Sequence, residues 1–322
     1  MSNTASLMSN WRISAIVAVL LGWFSATTPP AAAQGSQGQN AVYNASNGIV
    51  GSSAFIDASM FPASGRDFCG VVNWILNPAH GILPAAGGVI DARGLPGNTG
   101  TSMTCSASPW AGITSPPSST ILLPAGTIVI STPWVLPSNT RLIGEGEDIT
   151  AAGSTPGTTL QAQSGFTTGA AMISFGQSSP VCTAPCTGIS VEYLNLDGTG
   201  QSINGIANAY AQDFSYVDHV GLYRILGTGL SVSGNASNSG PYSNITFDLG
   251  GDTGTPSTVC ASINGSNGLS GTRGIHGLSC TSESNDAPAA VLLDASNNSI
   301  EDVRIVGFYD GIRGAGPPLR SL

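Results

Sequence analysis

The sequence predicts an all-β solenoid, a stack of short parallel coils behind one short N-terminal α-helix. Three observations predict it. A six-residue phrase recurs as VEYLNL at residues 191–196, VDHVGL at 217–222, YSNITF at 242–247, IHGLSC at 275–280 and IEDVRI at 300–305. Its copies start about 25 residues apart with one longer step, the period of a stacked repeat array. Several copies are followed by a Gly-apolar pair (Gly205-Ile206, Gly229-Leu230, Gly311-Ile312) that supplies a further short strand.

Each coil of such an array buries its apolar face on its neighbours, so the 322 residues need no division into separate cores. Only 8% of them are charged, with no lysine and nine arginines against eighteen carboxylates, for a net charge of −9. Nucleic acid is thereby excluded as an expected partner, because phosphate binding needs a basic stripe. A hydrophobic content of 41% and a mean hydropathy of +0.18 exclude a disordered chain. The 43 glycines, with many Ser, Thr and Asn, point to frequent tight turns.

Residues 1–33 read as a secretory signal peptide: Trp11-Arg12, an apolar run over 13–24, Pro29-Pro30 and the small-residue site Ala31-Ala32-Ala33. The run is short for a membrane span, so a secreted, periplasmic or cell-surface protein is expected, with no membrane contact once the signal is removed. Six cysteines fit that oxidising destination. The preferred pairing is Cys69 with Cys105, Cys182 with Cys186 and Cys260 with Cys280. Only the middle pair is favoured by closeness in sequence. Cys280, at an inward position of the repeat, fits a buried thiol as well.

Residues 34–65 read as a polar linker holding at most one short strand at 53–56 and adding little core. The solenoid domain spans 66–322, beginning with a helical cap at 67–78. There Asp67 precedes Phe68, Val71, Val72, Ile75 and Leu76 at helical spacing, and Asn77-Pro78 stops the pattern. Strands follow in GGVIDARG (87–94), at 120–123 and at 127–130. The segment 123–149 alternates short apolar strands with Pro, Asn and Gly turns. Trp74, Trp110 and Trp134 fall in this part and are assigned to cap and core packing. Within the phrase, position one closes an inward-facing strand, two and three turn the chain, and four and six point inward again. The turn column is Tyr193, His219, Asn244, Gly277 and Asp302. Leu194, Val220, Ile245, Leu278 and Val303 stack inside at about 4.8 Å per coil. After Asp310-Gly311-Ile312 no cap is visible before Gly316-Pro317-Pro318, so the C-terminal end reads as incomplete or as closed by a partner.

The order helix, GGVIDARG, LLPAGTIVI and LPSNTRLIGEGED resembles the start of the pectate-lyase-like proteins, the right-handed single-stranded parallel β-helix family of secreted bacterial and phage proteins. The resemblance covers roughly residues 67–314 and implies that the helix plugs the open end of the coil stack. It implies an activity on, or binding to, acidic or plant-type polysaccharide by a lyase or hydrolase. The family's activity-defining motifs are absent. His276-Gly277 is similar to the His-Gly element of polygalacturonases, but their paired-aspartate and Arg-Ile-Lys elements are missing.

Candidate site residues come from the register. The position after each phrase carries Asp197, Tyr223, Asp248, Thr281 and Val306. Asp197 and Asp248 then lie about 9.6 Å apart, near the separation at which inverting glycosidases hold an acid and a base. Tyr223 between them suits stacking on a sugar. A second constellation joins Asp218, His219 and Arg224, with Glu192 one coil above Asp218. A carboxylate beside an imidazole tunes acid-base chemistry, and an arginine binds a uronate carboxylate. Each of these residues also has a plain reading as a turn or surface group. No carboxylate cluster dense enough for calcium stands out, so Ca²⁺ is possible but unsupported as a cofactor. The alternative to a polysaccharide-active protein is a non-catalytic, adhesin-like module whose loops, such as 250–270, make the contacts.

Overall fold

A computed structural model describes residues 54–61, 65–97, 103–147, 157–177, 182, 185–234, 236–265, 273–283, 287–294 and 298–314. Residues 1–33, read as a signal peptide, most of 34–65, read as a linker, and the Gly316-Pro317-Pro318 run lie outside the described residues.

In chain order the elements are β1 (Ala54–Asp57), α1 (Phe68–Leu76), β2 (Gly88–Asp91), β3 (Thr104–Cys105), β4 (Ser119–Leu122), β5 (Gly126–Ile130), β6 (Trp134–Leu136), β7 (Thr140–Ile143), β8 (Thr158–Ala162) and β9 (Ala171–Phe175). They continue with β10 (Ser190–Gln201), β11 (Asn204–Asn208), β12 (Tyr216–Ile225), β13 (Thr228–Gly234), β14 (Tyr242–Asp248), β15 (Val259–Gly265), β16 (Ile275–Thr281), β17 (Ala289–Leu293), β18 (Ile300–Val306) and β19 (Asp310–Gly314).

The strands form two parallel sheets, an arrangement consistent with a β-helix-like fold. The first runs β1-β2-β4-β7-β10-β12-β14-β16-β18, with β3, β5 and β8 joined to it through β10, and the second runs β6-β9-β11-β13-β15-β17-β19. From β10 onward the chain gives one strand to each sheet in turn. The repeat phrase occupies the first-sheet strands and the Gly-apolar pairs occupy β11, β13 and β19.

The expected columns are in register. Leu194 pairs with Val220, Val220 with Ile245, Ile245 with Leu278 and Leu278 with Val303. In the second sheet Ile206, Leu230, Ala261, Val291 and Ile312 form a matching row. Leu194 and Val220 are fully buried, and one apolar core runs through both rows. Burial of this kind, at about 25 cal/mol per Å² of apolar surface, is what holds a repeat with so few ion pairs together. Tyr242 places a hydroxyl in that core, where Asn208 Nδ2 donates to it at 2.8 Å and Ser239 Oγ lies 2.7 Å away. Burial pushes its pKa up to about 12.

Asp67 caps α1 by accepting from Gly70 N at 2.7 Å, and its second oxygen accepts from Ser106 N at 2.7 Å. The helix buries Phe68, Val71, Val72, Ile75 and Leu76 in the same core as Ile56 and Ile90. Three disulfides join the pairs expected, Cys69–Cys105, Cys182–Cys186 and Cys260–Cys280, so Cys280 is not a free thiol. Such bonds accord with an oxidising compartment. Among the described residues no helix is long and apolar enough to cross a membrane.

Three expectations need correction. The strand expected at 53–56 is present as β1, but the stretch was read as adding little core, whereas β1 pairs with β2 and buries Ile56, with Ala58 following it into the core. The stretch 250–270, read as a contact loop, contains β15, whose Ala261 and Ile263 pair on both sides. Finally, the phrase is one kinked strand rather than two strands about a turn. A single residue with positive φ makes the bend.

Candidate functional site

The kink determines where polar side chains go. Position three has φ of 54° at Tyr193, 52° at His219, 52° at Asn244, 68° at Gly277 and 54° at Asp302. Asn, Asp and Gly enter this left-handed region at little cost, whereas Tyr and His do so with strain. Strain of that sort persists where packing over-determines it, and it concentrates at sites of function. Here the two strained residues stack on one another, with ring centroids 4.8 Å apart and planes inclined by 18°. Both are partly exposed, on the outside of the first sheet.

His219 is oriented by its own neighbour. Its Nδ1 lies 3.0 Å from Asp218 Oδ1, and Asn244 Nδ2 donates to the same oxygen at 3.0 Å. With Nδ1 directed at a carboxylate, Nε2 is left as the acceptor in the neutral ring. This is the Asp218–His219 pair expected from the sequence. Arg224 does not join it.

Arg224 instead grips Asp197. Its Nε and Nη2 reach the two carboxylate oxygens at 3.0 and 2.5 Å, and Gln161 Nε2 and Thr199 N donate at 2.9 Å each. The carboxylate hydrogen bonds raise the pKa of Arg224. Asp197 is only 6% exposed, so the ion pair is closed and has no free lone pair turned to solvent. Glu192 is held likewise: Arg141 Nη2 donates to both its oxygens at 2.9 and 3.1 Å, while Ser190 Oγ and Tyr216 OH donate to Oε1 at 2.7 and 2.9 Å. Its alignment with Asp218 is as expected.

The row after the phrase is also in register, Asp197 with Tyr223, Tyr223 with Asp248, Asp248 with Thr281 and Thr281 with Val306. Asp248 differs from Asp197. Its Oδ1 accepts from Gly250 N at 2.7 Å, and among the described residues Oδ2 has no partner. Tyr223 stands between the two carboxylates, with the Arg224 guanidinium 5.1 Å from its ring centroid. One residue pair nearer the kink, Asn195, Gly221, Thr246, Ser279 and Arg304 form a parallel row.

Sequence reasoning missed Glu147. After β7 the described residues 144–147 depart from the repeat pattern, and Gly146 N donates to Tyr193 O at 3.0 Å. Glu147, shortly after β7, lies near Thr246 and within electrostatic reach of His219 and Asp218. Burial raises its pKa above the ordinary glutamate value, Asp218 adds to the rise, and Thr246 and His219 oppose it. Arg141, the partner of Glu192, was missed as well. Among the described residues no group of three or more His, Cys, Asp or Glu is placed to hold a metal ion.

Fold and site together define an all-β protein whose first parallel sheet presents an in-register polar outer face. No protein-family model matches the chain, and no curated protein matches it. A solved structure described as Geobacillus virus E2 ORF18 aligns over 82% of this chain at 11% identity with a TM-score of 0.27. The chain spans 62% of that protein's length, and a likeness of this degree carries no argument.

Proposed function

We propose that the chain is an exported, right-handed parallel β-helix that binds and cleaves an extended polysaccharide along the outer face of its first sheet. The handedness rests on the near-universal right-handed crossover between parallel strands. Export is supported by the signal-like residues 1–33 and by the three disulfides. The observation that carries the functional reading is the row of partly exposed groups across β12 and β14: the Asp218–His219 pair, Thr246, Tyr223 and Asp248. A linear polymer running along β12 meets the Asp218–His219 pair and then the Tyr223 ring, with the Asp248 carboxylate beside that ring on β14. The pectate-lyase-like resemblance of residues 67–314 points to the same substrate class.

Charge bears on which polysaccharide. Arg141 and Arg224 are occupied by Glu192 and Asp197. Arg304, in the Thr246 row two strands on, has no carboxylate partner among the described residues, and it is the cation an acidic sugar meets on this face. The closed arginine pairs favour the second reading, a binding module without turnover. Incubation with neutral chains (xylan, dextran) and uronate chains (polygalacturonate, alginate), with and without calcium, separates the readings. New reducing ends or unsaturated products absorbing in the ultraviolet support cleavage. Retention on a polysaccharide without products supports the module, and neither result on any chain removes the proposal.

A further inference from the structure

Position three of the repeat asks for a residue that enters the left-handed region cheaply, and Asn244 meets that need with a φ of 52°. Its side chain does more than fill the position. Asn244 Nδ2 donates to Asp218 Oδ1 at 3.0 Å and lies 3.5 Å from His219 Nδ1, so amide and imidazole converge on one carboxylate oxygen. The other end of the amide lies over Gly277, the next residue of the column, where an added Cβ would meet Asn244 Oδ1 at 3.0 Å. Glycine at 277 therefore leaves the amide its room. From β10, on the other side of β12, the Tyr193 ring stacks on the imidazole and holds its plane.

On the reading that this face binds a polysaccharide, cleaved or not, we infer that Asn244 is a positioning residue. It pins Asp218 so that the neutral His219 ring carries its proton on Nδ1 and presents the Nε2 lone pair to a hydroxyl of an uncharged sugar. A neutral imidazole has one donor and one acceptor nitrogen, and the partner of the first decides the second. Asp218 is that partner, but its side chain is partly exposed, and a carboxylate free to turn into water holds no fixed bond to the ring. The amide from β14 removes that freedom by taking the same oxygen. The His219 side chain is 43% exposed, open enough for a ligand to reach. An acceptor nitrogen with a carboxylate behind it attracts a hydroxyl and repels a uronate carboxylate, so the unit seated there is a neutral one.

A backbone role competes, in which asparagine is present only because it tolerates the bend. Glycine tolerates the bend too, as Gly277 does in the same column, so Asn244→Gly removes the amide and leaves the backbone its conformation. Wild type and Asn244→Gly are compared by long-range ¹H–¹⁵N spectra of the histidine rings, at a pH that leaves the rings neutral, and by retardation in gels containing xylan, dextran or polygalacturonate. The chain has three histidines, and the His219 signals are assigned by their loss in His219→Asn. Wild type is expected to show His219 as the Nδ1–H tautomer alone. Asn244→Gly is expected to show both tautomers, with retardation by a neutral polymer weakened about fivefold, the worth of one net hydrogen bond. A wild-type His219 protonated on Nε2 overturns the inference with no variant needed. So does the same single tautomer in Asn244→Gly, and so does retardation confined to polygalacturonate. A changed tautomer with unchanged retardation on xylan and dextran overturns the assignment of Nε2 to a sugar hydroxyl. A wild type retarded by none of the polymers removes the polysaccharide reading and the sugar assignment with it, while the tautomer comparison still decides the role of Asn244.

Discussion

At His219 a bulky side chain sits at a φ that asparagine, aspartate or glycine fills more cheaply, and what it gains is a stack on Tyr193 and a bond to Asp218. The position was legible as a turn column because the phrase repeats. The strained geometry was not, since nothing in the spacing distinguishes a turn between strands from one left-handed residue inside a strand. Arg224 shows the same limit: adjacency to Tyr223 placed it near the site, yet its own positive φ of 49° accompanies a grip on Asp197 rather than on Asp218. Glu147 carries a prediction in stability. Its pKa is raised in the folded chain, so the contribution of its neutral form is complete below the unfolded pKa and is lost as pH rises through the folded value. Glutamine stays neutral throughout. Thermal melts should therefore find Glu147→Gln more stable than wild type at about pH 7 and the two converging near pH 3. Leu194 is fully buried in the inward row, and Leu194→Ala should cost about 2–5 kcal/mol in denaturant titrations through the cavity it leaves.

At the scale of elements, α1 was readable from its apolar spacing and its Asp cap because both signals are local. Asp67 has a second task the sequence hides, accepting from Ser106 through the oxygen that does not cap the helix. Asp67→Ala should destabilise by more than the roughly 1 kcal/mol of an ordinary cap, measured by the same titration. β15 went unread because its inward residues Cys260 and Ala261 are small and its apolar alternation is weak; only its register with β13 and β17 reveals it. The Cys260–Cys280 bridge ties that strand to β16 in the other sheet. Replacing both with alanine should lower stability by about 2–4 kcal/mol, with the loss appearing as earlier exchange of the β15 and β16 amides. Glu147, just after β7, has no counterpart in the repeat, so periodicity could not place it.

Across the whole molecule, the repeat period alone was enough to align side chains that lie far apart in sequence. Asp197, Tyr223, Asp248, Thr281 and Val306 were assigned to one row from spacing, and the strand pairing puts them there. What spacing cannot give is the state of each charge, because that depends on partners reached through loops and neighbouring strands: Asp197 is closed by Arg224, while Asp248 keeps an oxygen free among the described residues. The functional reading depends on that row being a straight line of neighbours across the first sheet. Spin labels at Gln161→Cys and Val306→Cys, the two being five strand steps apart through Asp197, Tyr223, Asp248 and Thr281, measure it directly by pulsed dipolar spectroscopy. In-register stacking predicts one narrow distribution centred near 24 Å; a broad distribution, or one centred at twice that distance, would contradict it.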